Sequence, residues 1–521
     1  MKYLLDKISK QTLFFVSLIG IVVVSLIMVT TFAYQTLQVE YTSDSNKNLT
    51  VNAGVLDVSF VVTNRINDNN IPFLDDYKTA NYSEFTVDNT KSSEDASYKI
   101  KLVDLEYSDV LKTSDFKYTI VKVNDNGLEI ISEGDFSELS STEIELSHYR
   151  TIKKSSTEKL RLYLWIKNSS NDQSSLKNSS FKGIIQVESM FDSESPMLKN
   201  VILRNAKNAT GDRTVYQETP TTIPGQAMSR ETERTLSKTT DDYGDSYYFR
   251  GNVIDNFVTY AGMCWRIVRI QGDGSIKMIL ASEKICNEAN VTTSSGYATD
   301  SNGIIISTTY GYKTIDSKTK NDYIKSEGTT SNARTRLNEW LERKIINNTD
   351  ISKSDKDLLK NDNWCIGDRT TAYGITTYEK KEETAKELIN LGTPFYYNSA
   401  KRISNLKTPT LICDGNINNE GEIDKNTIGL LTVDETVFAG GKSASGTTYY
   451  LNKNASSNHW TILSLTSFNN NTDYSYYIYN TGYLSFTHVK GYLALRPVIT
   501  LKANTEITTG DGTVNNAYQI K

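Results

Sequence analysis

A cysteine stands just ahead of two cations in "YAGMCWRIVRIQGDGSIKMIL", residues 260–280, where Cys264 is followed closely by Arg266 and Arg269. Cations beside a thiol lower its pKa and favour the nucleophilic thiolate. On a regular strand side chains alternate, so Cys264, Arg266 and Val268 share one face while Trp265 and Ile267 share the other, and only Arg266 accompanies the thiol. Cys264 also has three possible partners, Cys286, Cys365 and Cys413. An even count in an oxidising compartment reads first as disulfides. Three pairings are open, and proximity in sequence favours Cys264 with Cys286 and Cys365 with Cys413. A tight turn at Asp273-Gly274 would set Cys264 opposite about residue 283, so the chain must bend at "EKIC" to bring Cys286 into range.

Other chemistries find few residues to carry them. The histidines are His148, His459 and His488, with no H-E-x-x-H and no pair at helical ligand spacing, so no zinc ligand set is visible. No G-x-S-x-G provides a serine nucleophile. "GGKSASG" at 440–446 lacks the spacing of a phosphate loop and reads as a plain loop. "CDGNINNEGEIDKN" gathers Asp414, Asn416, Asn418, Glu420, Glu422 and Asp424, hard oxygen ligands suited to calcium. Asn419 and Lys425, however, occupy the positions where an EF-hand loop has Gly and Glu, and a polar surface loop is the plainer reading. No catalytic residue, metal site or cofactor is expected. "SYYIYNTGYLSF" puts Tyr476, Ile478 and Asn480 on one face of a strand and Tyr477 and Tyr479 on the other; exposed tyrosines stack on sugars or form interfaces, whereas buried ones pack sheets. Trp265, Trp460 and Arg496 read as structural.

The elements that must position these residues are mainly β. "YKIKLVDL" alternates Tyr98, Ile100 and Leu102 against Lys99 and Lys101, and "LRLYLWIK" places Leu160, Leu162, Leu164 and Ile166 on one face. One buried and one solvated face suit an antiparallel sandwich over residues 35–192. Residues 193–243, with Pro196, Pro220 and Pro224 among polar residues and one amphipathic piece at "MLKNVILRNA", read as a linker. Residues 244–521 read as an irregular α+β domain of short strands and two or three helices. "CWRIVRI" and "SIKMIL" form a hairpin there, in which Gly274 supplies a positive φ. "SNARTRLNEWLERKI" sets Ala333, Leu337, Trp340, Leu341 and Ile345 on one helical face with Ser331 as N-cap, and a second helix in "YEKKEETAKELINLG" ends at Gly392.

At 521 residues the chain exceeds one hydrophobic core, and its net charge of −5 offers no electrostatic footprint for nucleic acid. From Leu13 to Phe32 no residue is charged, and about 20 residues of helix cross a bilayer core of about 30 Å. Lys2, Lys7 and Lys10 precede that run, which keeps the N-terminus inside and exports the rest. Residues 1–34 are therefore a cytoplasmic tail and membrane anchor. The alternative is a signal segment cleaved after "TFA", which would release the chain. Either way the bulk is extracellular.

"TTFAYQT", "VNAGVLDVSF", "FTVDNT" and "LRLYLWIKNSSNDQSSLKNSSFKGIIQV" resemble the camelysin-like exported proteins of Gram-positive bacteria over residues 1–190. That resemblance implies a jelly-roll-like β-sandwich; some members assemble into surface fibres and one is described as a metallopeptidase, a role for which this chain lacks a visible ligand set. "YYFRGNV", "CWRIVRI", "ARTRLNEWLE", "IGLLTVDETVFAGG", "HWTILSLTSF", "NTGYLSF" and "GYLALRPVITLK", in that order, resemble an uncharacterised domain of Gram-positive surface proteins over residues 241–521. This half is also similar to C-type-lectin-like and formylglycine-enzyme-like folds. The expectation is a membrane-anchored surface protein with a binding, adhesion or matrix role. Its partner would be a glycan, a protein or another copy of itself, and the alternative is an extracellular hydrolase of wall or host polymers.

Overall fold

The computed structural model describes residues 59–62, 71–293 and 332–521 apart from short interruptions, the longest at 414–422 and 452–459. The apolar run 13–32, Ser331, the loop from Asp414 to Glu422, His459 and Asn480 lie outside them, as do the side chains of Asp424, Trp460 and His488. Among the described residues no helix is long and apolar enough to cross a membrane. The chain divides into two compact units, Met1–Ser195 and Pro196–Lys521, and both are mainly β.

In the first unit two sheets share one core. The larger runs β1 (Ser59–Val62), β2 (Tyr82–Asp88), β6 (Thr157–Lys167), β4 (Phe116–Asn124), β5 (Gly127–Asp135), all antiparallel, with Phe73–Leu74 added in parallel to β6. The smaller pairs β3 (Ala96–Tyr107) with β7 (Phe181–Phe191) and two short strands. Period-2 alternation decides what is buried: Leu160, Leu162, Leu164 and Ile166 from β6 meet Tyr98, Ile100 and Leu102 from β3 in that core. The opposite faces are not simply solvated. Tyr163 and Trp165 lie in a satellite cluster with Tyr77 and Ala80, and Lys99 and Lys101 pair with Glu145 at 2.7 Å and Glu188 at 2.9 Å.

The second unit begins inside the stretch that reads as a linker. Helix α1 (Leu198–Lys207) buries Leu198, Val201, Ile202 and Ala206 in the main core of the unit. Strand β8 (Arg234–Asp241) pairs along its whole length with β9 (Gly244–Gly251). Between them, Glu233 and Arg250 form an ion pair at 3.4 Å with both side chains fully buried, and Arg250 also donates to Thr222 Oγ1. Residues 196–243 are therefore integral to the fold. Their polar composition misleads because the buried polar groups are partnered rather than solvated.

At the centre of this unit lie β11 (Met263–Ile270) and β12 (Ile276–Ser282), every residue of which is buried. Along the other edge of β11 run β9 and β10 (Phe257–Tyr260), while β12 continues to β16 (Val498–Leu501). Helix α2 (Asn332–Leu341) packs against the sheet with Ala333, Leu337, Trp340 and Leu341 buried, and Trp340 meets Trp265 edge-on at 6.2 Å. Ile345 extends that face through a π-helical turn, Glu342–Ile346. Helix α3 (Ala385–Leu391) starts later than its sequence window, at a Thr384–Glu387 capping box, and ends on Gly392 at φ 68°. A further capped helix, α4 (Val433–Ala439), and several shorter helical turns exceed the two or three expected. A separate sheet joins Phe395–Tyr396, β13 (Trp460–Asn469), β14 (Thr472–Ile478) and β15 (Leu484–His488) in that order.

Candidate functional site

The β11–β12 hairpin departs from regular alternation. Ile270 pairs with Ile276 across a five-residue turn, Gln271–Ser275, in which Gly274 has φ 84°. Ile267 faces Met278 and Arg269 faces Lys277, so Val268 is a bulge without a cross-strand partner. The consequence corrects the sequence expectation. Arg269, together with Arg266 and Lys277, projects on the Cys264 side of the sheet, while Trp265, Ile267 and Ile270 fill the helix-covered side.

The Cys264 thiol is not available as a nucleophile: it is bonded to Cys286. The chain passes Ser282, which faces Cys264, and turns back through Lys284 to bring the two Cα atoms to 4.6 Å. Arg266 beside it is a structural cation. It donates to Asn256 Oδ1, Val253 O and Tyr450 O and lies 4.3 Å from the Phe257 ring centroid. Burial, with Arg496 adding repulsion, pulls its guanidinium down to about 9. Arg496 in turn donates to Leu280 O and Leu451 O.

Arg269 leads into a charged cleft beside the second disulfide, Cys365–Cys413. Its base is a buried ion network. Glu435 Oε1 accepts from Arg269 Nε at 3.0 Å and from Lys277 Nζ at 2.9 Å, while Glu435 Oε2 accepts from the Thr432 amide at 3.0 Å as the N3 member of the α4 capping box. Asp241, at the end of β8, takes Arg269 Nη1 at 2.5 Å and the Gly272 and Tyr243 amides. Asp434 holds Arg402 through two bonds, at 2.8 and 2.7 Å, and accepts the Thr410 amide. Asp242 accepts the Cys413 amide at 3.0 Å, and the Trp364 ring lies 4.6 Å beneath Lys277 Nζ.

The electrostatics follow from these pairings. Burial alone would raise the Glu435 carboxyl, but Lys277, Arg269 and the Thr432 amide outweigh it and hold the group down at about 2. For Arg269 burial opposes the charge, and Glu435 and Asp241 more than restore it, leaving the guanidinium above its ordinary range. The cleft's free volume is about 40 Å³, room for two or three waters.

Of the residues singled out in the sequence, the cleft gathers Arg269, Cys365 and Cys413. Cys264, Cys286, Arg266 and Arg496 lie in neighbouring packing clusters, and His148 is an exposed residue of the first unit. Asp241, Lys277, Arg402, Asp434 and Glu435 escaped sequence reasoning. The Thr432-x-x-Glu435 capping box carries a local signal for α4; the others are brought together from separate elements and carry none. Among the described residues no three His, Cys, Asp or Glu side chains form a metal-holding group.

The tyrosine hairpin forms a second surface. Tyr476 and Ile478 are buried, at 2% and 0% exposure, whereas Tyr477, Tyr479 and Tyr483 are only half-buried. Ring centroids stand 6.4 Å apart for Tyr477–Tyr479 and 4.6 Å for Tyr479–Tyr483, the latter stacked. No family model matches the chain, and no curated protein is similar to it.

Proposed function

We propose that the chain is a membrane-anchored, surface-displayed binding or matrix protein, held by the 13–32 segment and presenting its two β-rich units outside the cell. Its resemblance to Gram-positive surface domains belongs to the same proposal. The observation that carries it is the use of all four cysteines in two disulfides, Cys264–Cys286 and Cys365–Cys413, a pattern that favours an oxidising, exported setting. The cleft's chemistry supports binding over hydrolysis. Its carboxylates are each tied to a cation or a backbone amide, and Glu435 is held ionised, the opposite of the raised carboxyl that a general acid requires.

Protease treatment of intact cells tests the proposal. The full-length chain should sediment with the membrane fraction and lose its mass to externally added protease, and purified full-length protein in detergent should be retained by wall preparations. A chain protected from protease in intact cells overturns the reading.

A further inference from the structure

We propose that the outer face of the β14–β15 hairpin binds a neutral polysaccharide, whose sugars stack on the Tyr477 ring and on the outer side of the stacked Tyr479–Tyr483 pair. The inference rests on the surface-binding reading and names its ligand class. It begins with the register. Tyr477 pairs with Ser485 and Ile478 with Leu484, so Tyr476, Ile478 and Leu484 face inward and are buried while Tyr477, Tyr479 and Tyr483 face the other way. Folding consumes the first set and leaves the second half-exposed.

The composition of that outer face then selects the ligand. At the exposed end of that face Tyr477, Tyr479, Tyr483, Ser485 and Thr487 all bear hydroxyls and none is charged, in a chain with 23% charged residues, whereas Asp473 and Ser475 at its other end are buried. Among the described residues of that face an anionic polymer would find no cation. A neutral sugar offers C–H faces to the rings and hydroxyls to the rim, the two chemistries that a tyrosine combines. The platform is also preorganised. Tyr479 accepts the Gly482 amide and donates its own amide to Tyr483 O at 2.9 Å, with Gly482 at φ 95°. Two stacked rings on a closed turn lose little freedom on binding, because tyrosine has only two side-chain torsions.

Full-length protein in detergent micelles, titrated calorimetrically with cellohexaose, chitohexaose and maltohexaose, and with a hyaluronan hexasaccharide as the charged probe, tests this. At least one neutral hexasaccharide should bind and hyaluronan should not. Tyr479→Ala should weaken the neutral ligand about tenfold or more, a loss of about 1.4 kcal/mol. Tyr479→Phe should retain most of the affinity, and Phe486→Ala, on the opposite face, should change nothing. Unchanged near-ultraviolet circular dichroism certifies that each variant is folded. If no neutral hexasaccharide binds while wall preparations still retain the protein, the sugar assignment falls and the surface-binding reading survives; if neither binds, both fall. Equal affinity in Tyr479→Ala and wild type overturns the site, as does sedimentation showing a dimer that Tyr479→Ala dissolves in the absence of sugar binding.

Discussion

Replacing Glu435 with Gln removes the charge on which Arg269 and Lys277 converge while keeping the shape of the side chain. The magnitude follows from its titration. A carboxyl that loses its proton near 2 when folded, against 4.5 when unfolded, contributes about 3 kcal/mol at neutral pH. The figure is of the same order as the about 3–5 kcal/mol expected when one member of a buried ion pair is removed and its partners stay buried. The sign is fixed by the direction of the shift: because the folded pKa is depressed, this stability is present in full above the unfolded value and fades as pH falls from about 5 towards 2. Urea unfolding of the full-length chain, followed through the fluorescence of the buried Trp265, Trp340 and Trp364, should show the second-unit transition of Glu435→Gln about 3 kcal/mol weaker at pH 7. The two curves should converge as the pH approaches 2. A variant with the wild-type midpoint at pH 7, or one whose deficit persists undiminished at pH 2, would refute the assignment of Glu435 as the ionised hub.

Further outcomes follow from the same unit. The Cys365→Ser/Cys413→Ser double variant frees a separation of 48 residues and should lose about 4 kcal/mol in the chain-entropy account, read as a lower urea midpoint under oxidising conditions. Gly429→Ala would set a Cβ 2.3 Å from Trp364 Cδ2 and should destabilise by about 1–3 kcal/mol through overpacking, measured by the same unfolding curve; an unchanged midpoint would show that Trp364 moves freely. Deleting Val268 removes the bulge yet leaves Arg269 on the Cys264 side, because Ile267 and Arg269 already pair with the consecutive residues Met278 and Lys277, so the variant should keep the native second unit, seen as resistance to limited proteolysis beyond residue 196; rapid cleavage there would refute the bulge assignment.

Where burial is apolar, local sequence reports it well. Leu160 to Ile166 at period 2 and Ala333 to Ile345 at helical spacing fall on the faces their patterns imply, because in both cases only hydrophobic side chains enter the core. The stretch 196–243 defeats the same reasoning. In β8 the buried residues are Thr235, Leu236, Ser237 and Asp241, so one aliphatic side chain in eight marks a strand whose other buried groups are paid for by partners elsewhere, among them Arg269 for Asp241. Such partners are tertiary, and no window of local sequence contains them. The cleft was illegible for the same reason: Asp241, Lys277, Arg402 and Glu435 belong to four separate elements, and only the Thr432–Glu435 spacing leaves a local trace. The sequence leaves three cysteine pairings open; the one found is the one proximity favours, joining neighbours in sequence, an arrangement that the hairpin and the strand Asp362–Cys365 make geometrically available.

The bulge at Val268 explains why a strand reading Trp-Arg-Ile-Val-Arg-Ile can be wholly buried. In a regular strand Arg269 would share its face with Trp265 and Ile267, and a guanidinium would stand among apolar side chains under α2 with no carboxylate to meet it, a burial that costs several kcal/mol. One unpaired residue rotates Arg269 to the other face, where Asp241 and Glu435 both reach it. The apolar set Trp265, Ile267, Val268 and Ile270 stays within the main core, and the polar set Arg266, Arg269 and Lys277 gains a common side. On that side the two arginines are treated differently: Arg266 is satisfied by carbonyls, Asn256 and aromatic rings, Arg269 by carboxylates. Burial therefore lowers the first and the surrounding charges raise the second. The motif's two cations thus serve two separate anchoring tasks, tying β11 to β10 and the Tyr450 segment in one direction and to β8 and α4 in the other. The Cys264 sulfur, held in a disulfide ahead of both arginines, has no call on either charge.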